Sequence, residues 1–276
     1  MRIIITEFMD EAAVAALARR FDVRYDPDLV DRRDALLAEL ADAEAVIVRN
    51  RTQVDADMLA AAKRLKVVGR LGVGLDNIDV AACRDRGIEV IPATGANARA
   101  VAGYVIAAAL VVRRGAYTPT AGGGGGAWPR TTYSNGLEAE QRMLGIVGFG
   151  GIGQLTAKLA QGIGMRVGAF DPMLPADSTV WQQTRVQRLE LDALLSAADV
   201  VTLHIPLTPD TRNLFDGARI GSMKSGSILI NTARGGIVDE TALASALKSG
   251  QLRGAAIDVF DQEPVKAGGA LAGAPN

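Results

Sequence analysis

The sequence predicts an α/β chain of two doubly wound, parallel-sheet domains, at residues 1–97 and 98–276. Three observations carry that prediction. Short β-branched runs alternate with alanine-rich stretches of helical period along the whole chain, the pattern of parallel strands joined by crossover helices. A glycine motif, GFGGIG at 148–153, follows the apolar run LGIV and opens the helical stretch QLTAKLAQG. Between the two sets of strands a long apolar helix at 98–114 leads out, followed by YTPTAGGGGGAWPR.

Taken in order, strands are expected at 2–6, 23–25, 45–48, 66–70 and 89–91, with helices near 11–20, 33–41, 56–62 and 80–86. That is a complete small doubly wound unit. The second set of strands is expected at 144–147, 166–170, 200–204, 227–231 and 254–259, again separated by helical stretches. The halves share an architecture without sharing a sequence repeat. The five glycines at 122–126 read as a mobile loop, because ordering them costs far more backbone entropy than ordering alanines. No strand precedes that run and no helix follows it directly, which argues against a phosphate-binding role.

A chain of 276 residues and 28.8 kDa can bury two cores of ordinary size. Thirty Lys and Arg against thirty-one Asp and Glu leave a formal charge of -1, so no global field favours nucleic acid or an anionic membrane. A small anionic ligand remains open. The single cysteine, Cys83, excludes an internal disulfide and a cysteine-based zinc site and fits a reducing compartment, and no metal site is expected. The opening MRIIITEFMDE turns acidic too soon for a secretory signal. The longest apolar run, 101–112, is well short of the roughly 20 residues that span a bilayer. A cytoplasmic protein with no membrane segment is expected.

The glycines of the motif have separate tasks. Gly148 allows a tight turn, Gly150 lets the backbone approach a pyrophosphate, and Gly153 permits close packing of helix on strand, with Gly151 and Ile152 completing the loop. The next strand ends in AFDP, which puts Asp171 about 20 residues on, where a carboxylate accepts from adenine-ribose hydroxyls and repels a 2′-phosphate. NAD is therefore expected over NADP.

Beyond this motif the chain resembles the D-isomer-specific 2-hydroxyacid dehydrogenases, the family that includes D-3-phosphoglycerate dehydrogenase. The resemblance runs nearly end to end, on VVGRLGVGLDNID (67–79), GFGGIG, FDP, LHIPLTPDTR (203–212), ILINTARGGIVDE (228–240) and AAIDVFDQEP (255–264). It implies a flavodoxin-like substrate domain at 1–97, a Rossmann NAD-binding domain at 98–276, a cleft between them, and a homodimer formed through the NAD domains. By the same resemblance Arg234 grips the substrate carboxylate and polarises the 2-oxo group, a task suited to a planar guanidinium. Glu263 pairs with the catalytic histidine. Gly72, Val73 and Gly74 offer backbone N–H groups to the substrate carboxylate. His204, Pro206, Thr232, Ala233, Arg234 and Asp258 line the cofactor.

Arg49, Asn50, Arg51 and Arg70 fall at the ends of two adjacent expected strands, where ligands bind in open α/β sheets. They suggest a 2-hydroxy or 2-oxo acid with a second anionic group, phosphoglycerate-like or sulfolactate-like. The opening ITEFMDEAAV with VRNRTQV is similar to the sulfolactate dehydrogenases of the family. One departure bears on activity. The family's proton-donating histidine, in a TPHIAG-like segment, is expected just past the end of these 276 residues, together with the last strand and return helix of the NAD domain. His204 does not match it. Two readings therefore stand side by side: an NAD-dependent oxidoreductase, and a non-catalytic NAD(H)-binding protein or inactive fragment.

Overall fold

The computed structural model describes residues 1–115, 134 and 136–276, which form two compact units, Met1–Asn97 and Ala98–Asn276. The glycine run at 122–126 lies outside the described residues.

In the first unit β1 (Arg2–Ile5), β2 (Asp22–Tyr25), β3 (Ala45–Val48), β4 (Val67–Arg70) and β5 (Glu89–Pro92) build one parallel sheet in the order β2-β1-β3-β4-β5. Helices α1 (Glu11–Ala18), α2 (Arg33–Glu39), α3 (Ala56–Ala61) and α4 (Val80–Asp85) lie between successive strands. Composition follows position in the sheet. Inner β3, AVIV, is covered on both faces, whereas the edge strands DVRY and EVIP alternate exposed and half-buried residues. Ile4 packs with Val46, Val68 and Cys83, while Ile3 and Ile5, pointing to the other face, pack with Ala45.

The second unit holds β6 (Met143–Val147), β7 (Arg166–Phe170), β8 (Gln187–Arg188), β9 (Val200–Leu203), β10 (Ser227–Asn231) and β11 (Leu252–Ile257) in one parallel sheet, in the order β11-β10-β9-β6-β7-β8. Its helices among the described residues are α5 (Ala98–Arg114), α6 (Gly151–Gly162), α7 (Thr179–Thr184), α8 (Leu191–Ala197), α9 (Gly217–Ser222) and α10 (Glu240–Ser249). β6, β9 and β10 are buried at every residue, so their mainly apolar runs, which also bury Thr202, Ser227 and Asn231, face two cores. Leu229 joins Leu194 and Leu243 on one side, and Ile146 joins Val105 and Ala157 on the other.

Counting strands within each unit, the first sheet runs 2-1-3-4-5, the flavodoxin-like order, and the second runs 3-2-1-4-5-6 from its other edge inward, the dinucleotide-binding order. Each order reverses once, between β1 and β3 and between β6 and β9. Ligands in open α/β sheets bind at the carboxyl ends of the strands beside such a reversal. Two elements differ from the sequence reading. β8 has only two residues, both exposed, and so leaves no hydrophobic pattern. The strand expected at 254–259 lies two residues earlier, at Leu252–Ile257.

At the opposite, amino end of β9 lies a buried polar clasp. Asp199 accepts the Met143 N–H at 2.9 Å and the Lys224 ammonium at 2.8 Å. Burial works to raise its pKa, but these donors outweigh it and hold the carboxyl below its ordinary value. Its place in the fold makes it a structural tie. Among the described residues no helix is long and apolar enough to cross a membrane.

Candidate functional site

β6 ends at Val147, and the chain turns through Gly148 into α6. Gly148 has a φ of +94°, and a Cβ there would press on the His204 carbonyl, so the turn requires glycine. A Cβ on Gly153 would collide with the Gly148 carbonyl oxygen; the first turn of α6 reaches the strand end only without a side chain. Gly150 and Gly151 are the opposite case, because a Cβ on either would meet nothing within 4 Å. The protein's own packing does not demand glycine there, but a ligand approaching the backbone would. Ile152 is half-buried beside them.

The start of α6 differs from most others. α1, α3, α4 and α10 begin on Asp10, Asp55, Asp79 and Asp239, whose carboxylates accept first-turn N–H groups. α6 begins on Gly150 with no side-chain cap, which leaves its first N–H groups and the positive end of its dipole for an anion.

Asp171, one residue past β7, accepts the Phe149 N–H at 2.8 Å through Oδ2 and the Met173 N–H at 2.9 Å through Oδ1. The carboxylate is thereby fixed at the glycine turn, with lone pairs left for further donors. The Phe149 ring stacks on buried Trp181, centroids 5.1 Å apart, and Trp181 donates its indole N–H to the Pro175 carbonyl at 2.9 Å. Sequence reasoning missed this anchor, although two aromatics in so aromatic-poor a chain were a signal.

His204 follows β9; its N–H donates to the Val147 carbonyl at 2.8 Å, and its Nε2 lies 3.3 Å from the Thr202 hydroxyl. Burial pushes its pKa down to about 4, so the imidazole is neutral at physiological pH. Pro206 is exposed, and its carbonyl accepts the Thr211 hydroxyl at 2.7 Å. At the end of β10, the Thr232 hydroxyl is buried with no hydrogen-bond partner among the described residues. An orphaned hydroxyl, two open glycines and an uncapped helix along the ends of one sheet fit a bound dinucleotide.

Buried Asn231 shapes the turn that carries Arg234. Its side-chain amide donates to the Arg234 carbonyl at 2.9 Å and accepts the Ala233 N–H at 3.0 Å, and Arg234 donates from Nη1 to the Ala233 carbonyl at 2.6 Å. Exposed Asp258, just past β11, donates its N–H to the Asn231 carbonyl at 3.0 Å. A Cβ on Gly235 would strike the Phe260 carbonyl, so the two segments lie in close backbone contact. Glu240 accepts the Asp261 N–H at 2.8 Å, and exposed Glu263 accepts the Phe260 N–H at 3.0 Å. Arg234, Asp258 and Glu263 thus sit on two adjoining segments at the ends of β10 and β11.

In the first unit the segment after β3 carries Arg49 and Asn50. Asn50 is exposed, and Arg49 lies over the ring of Phe8. Arg51 is engaged by Asp31, which removes it from the expected group of available arginines. Arg70 turns back to donate from Nη1 to the Leu71 carbonyl at 2.8 Å, and its guanidinium occupies the space a Cβ on Gly72 would need. The Gly72 N–H is committed to the Arg70 carbonyl at 2.8 Å, whereas those of Val73 and Gly74 have no backbone partner among the described residues. Of the three N–H groups expected to face a substrate carboxylate, those of Val73 and Gly74 are therefore the ones not already taken by backbone among the described residues. Among the described residues no three His, Cys, Asp or Glu side chains gather as metal ligands.

A doubly wound sheet whose glycine turn, uncapped helix and fixed carboxylate meet at its point of strand reversal defines a dinucleotide-binding protein. Comparison with known proteins narrows the class. Residues 106–276 match the family described as D-isomer specific 2-hydroxyacid dehydrogenase, NAD binding domain. The chain is 53% identical over 272 residues to an (S)-sulfolactate dehydrogenase of Chromohalobacter salexigens, covering 98% of this chain and 87% of that protein. It is 38% identical over 267 residues to D-3-phosphoglycerate dehydrogenase of Methanocaldococcus jannaschii, covering 96% of this chain but 50% of that longer protein. A D-lactate dehydrogenase from Aquifex aeolicus, complexed with NAD and lactic acid, superposes with a TM-score of 0.82 at 28% identity, covering 95% of this chain and 78% of that one. The chain belongs to the D-isomer specific 2-hydroxyacid dehydrogenases, NAD-dependent oxidoreductases of 2-hydroxy acids.

Proposed function

We propose that this dehydrogenase interconverts a 2-hydroxy acid and its 2-oxo acid where the acid carries a second anionic group, of the sulfolactate or phosphoglycerate type. The observation that carries the reading is the occurrence of an open glycine turn and uncapped α6 in one unit and of the Arg49–Asn50 pair, past a strand end, in the other. The similarity to a sulfolactate dehydrogenase over nearly the whole chain supports the sulfonate form.

The units take separate roles: 1–97 is the substrate domain and 98–276 the NAD domain. Gly148, Gly150, Gly151, Ile152 and Gly153 hold the pyrophosphate, Asp171 the adenine ribose, and His204, Pro206, Thr232, Ala233 and Asp258 line the cofactor. NAD, when bound, supplies the hydride acceptor or donor. Val73 and Gly74 hold the substrate carboxylate by their N–H groups, and Arg49 and Asn50 meet the second anion. Arg234 polarises the 2-oxo group, where a guanidinium stabilises negative charge developing on oxygen. Glu263 is the carboxylate that orients the acid imidazole. His204 is not that acid, because a pKa near 4 leaves it no proton to give at neutral pH. The balanced near-neutral charge supports a small-molecule substrate over nucleic acid, and the single cysteine supports a cytoplasmic location. Exposed Tyr104, Leu110 and Val111 on α5 support a homodimer, checked by light scattering.

The test is steady-state oxidation of NADH with sulfopyruvate, phosphohydroxypyruvate and pyruvate in parallel. Higher kcat/KM for the doubly anionic acids is the expected result. Equal or better turnover of pyruvate would remove Arg49 and Asn50 from recognition.

A further inference from the structure

Glu7 is only 4% exposed, and what compensates its carboxylate is mainly backbone, with the Thr52 side chain adding to it. Its Oε1 accepts the N–H groups of Arg49 at 2.8 Å and Thr52 at 3.0 Å, and its Oε2 those of Asn50 at 3.3 Å and Arg51 at 3.1 Å. Four consecutive N–H groups thus converge on one side chain. Burial acts to raise its pKa, and the bonds from Thr52, Arg49 and Arg51 outweigh it, so the group stays ionised.

These N–H groups belong to the turn between β3 and α3, beyond the reach of the sheet ladder, where unpaired donors would be costly. Other contacts hold the far side of the same turn. The Thr52 hydroxyl lies 2.8 Å from that of Thr6, the Asn77 amide donates to the Thr52 carbonyl at 2.6 Å, and Arg51 is bound by Asp31. That leaves the side chains of Arg49 and Asn50 for a ligand. The residue after Glu7, exposed Phe8, puts its ring under the Arg49 guanidinium, 6.0 Å from the centroid. One dipeptide therefore anchors the backbone of the turn and supplies a platform for its cation.

We propose that Glu7 is a positioning residue for recognition of the substrate's second anion, acting through the 49–52 turn to aim Arg49 and Asn50. This rests on the assignment of those two residues to that anion. A carboxylate suits the task because both its oxygens accept and neither donates, whereas the amide nitrogen introduced by Glu7→Gln would turn N–H groups of its own toward the donors of the turn. Phe8 then lets the guanidinium approach the anion without a competing carboxylate beside it.

The experiment measures the Kd of (S)-sulfolactate and of lactate by calorimetry at saturating NADH, with which a 2-hydroxy acid forms a dead-end complex, using the full chain and its Glu7→Gln, Arg49→Ala and doubly substituted forms. Expected are a loss on the order of tenfold for sulfolactate in Glu7→Gln, as for a weakened charged hydrogen-bond set, little change for lactate, and a double variant no weaker than Arg49→Ala. Equal losses for both ligands, or full additivity with Arg49→Ala, would make Glu7 a stability residue and overturn the proposal. Arg49→Ala that weakens both ligands alike would overturn the second-anion assignment itself, and this inference with it. If Glu7→Gln fails to fold, Glu7→Asp, which keeps the charge at shorter reach, is judged by the same ratio.

Discussion

The two units solve the same topological problem in opposite ways. Each has a parallel sheet whose strand order reverses once, and at each reversal backbone N–H groups are left beyond the strand ends. In the first unit they are turned inward and filled by the protein's own anion, Glu7, while α1 is capped by Asp10. In the second unit they are left open: Gly150 starts α6 without a cap, and Gly148 and Gly153 pull the helix against the strand end. A filled reversal makes a rigid turn that aims side chains, and an open one makes a backbone cradle for a phosphate. On the roles proposed above, the filled turn presents the side chains of Arg49 and Asn50, and the open one presents the backbone N–H groups that start α6.

The comparison can be broken first at Arg234, the side chain of the open unit proposed to polarise the 2-oxo group. Arg234→Ala is expected to lower kcat/KM by about 100- to 1000-fold, as removal of one preorganised charge donor does, with NADH affinity nearly unchanged in fluorescence titration. Loss of NADH binding instead would mean that Arg234 serves the cofactor and not the substrate.

His204 sharpens the electrostatic side. Its pKa is lowered from 6.5 to about 4, so the unfolded chain takes up a proton before the folded one as pH falls through that window. Stability present above pH 6.5 should therefore decline toward pH 4, by up to about 3 kcal/mol from this group. Chemical denaturation across that range should show a shallower pH slope in His204→Gln; an unchanged slope would assign the acid sensitivity elsewhere.

The two kinds of glycine provide a finer test. Gly153→Ala should destabilise the protein by about 1–3 kcal/mol, because its Cβ overpacks against the Gly148 carbonyl. Gly150→Ala should leave the melting temperature of the NADH-free protein unchanged and weaken NADH, since its Cβ meets only the space assigned to the pyrophosphate. Reversed phenotypes would exchange the roles given to these positions. The smallest effect is expected at Asp171. Its replacement by Ala should cost about 1–2 kcal/mol of NADH affinity and narrow the preference over NADPH; unchanged discrimination would take Asp171 away from the ribose.

Much of this was legible in the sequence, and for a common reason. The strands at 45–48, 166–170 and 227–231 and the helix at 98–114 occur where their local patterns predict them. The glycine motif announces its turn because strand, motif and helix are contiguous. Signals of this kind live in neighbouring residues, where periodicity and side-chain volume act directly on the backbone. β8 escaped because two exposed residues carry no period, and it is a strand only because β7 lies beside it.

The site divides in the same way. Sequence by itself determined the doubly wound class, the glycine turn, the spaced acid and the family's residue types, since each is a matter of local order and spacing. Tertiary structure alone decided that Glu7 meets a turn 42 to 45 residues away, that Arg51 is claimed by Asp31, that the Gly72 N–H is already used, and that the Thr232 hydroxyl has no partner among the described residues. Those outcomes depend on which strands become neighbours and which donors remain unpaired once they do. A hydrogen bond is a pairwise fact, and a one-dimensional pattern does not contain the second partner until the chain has folded.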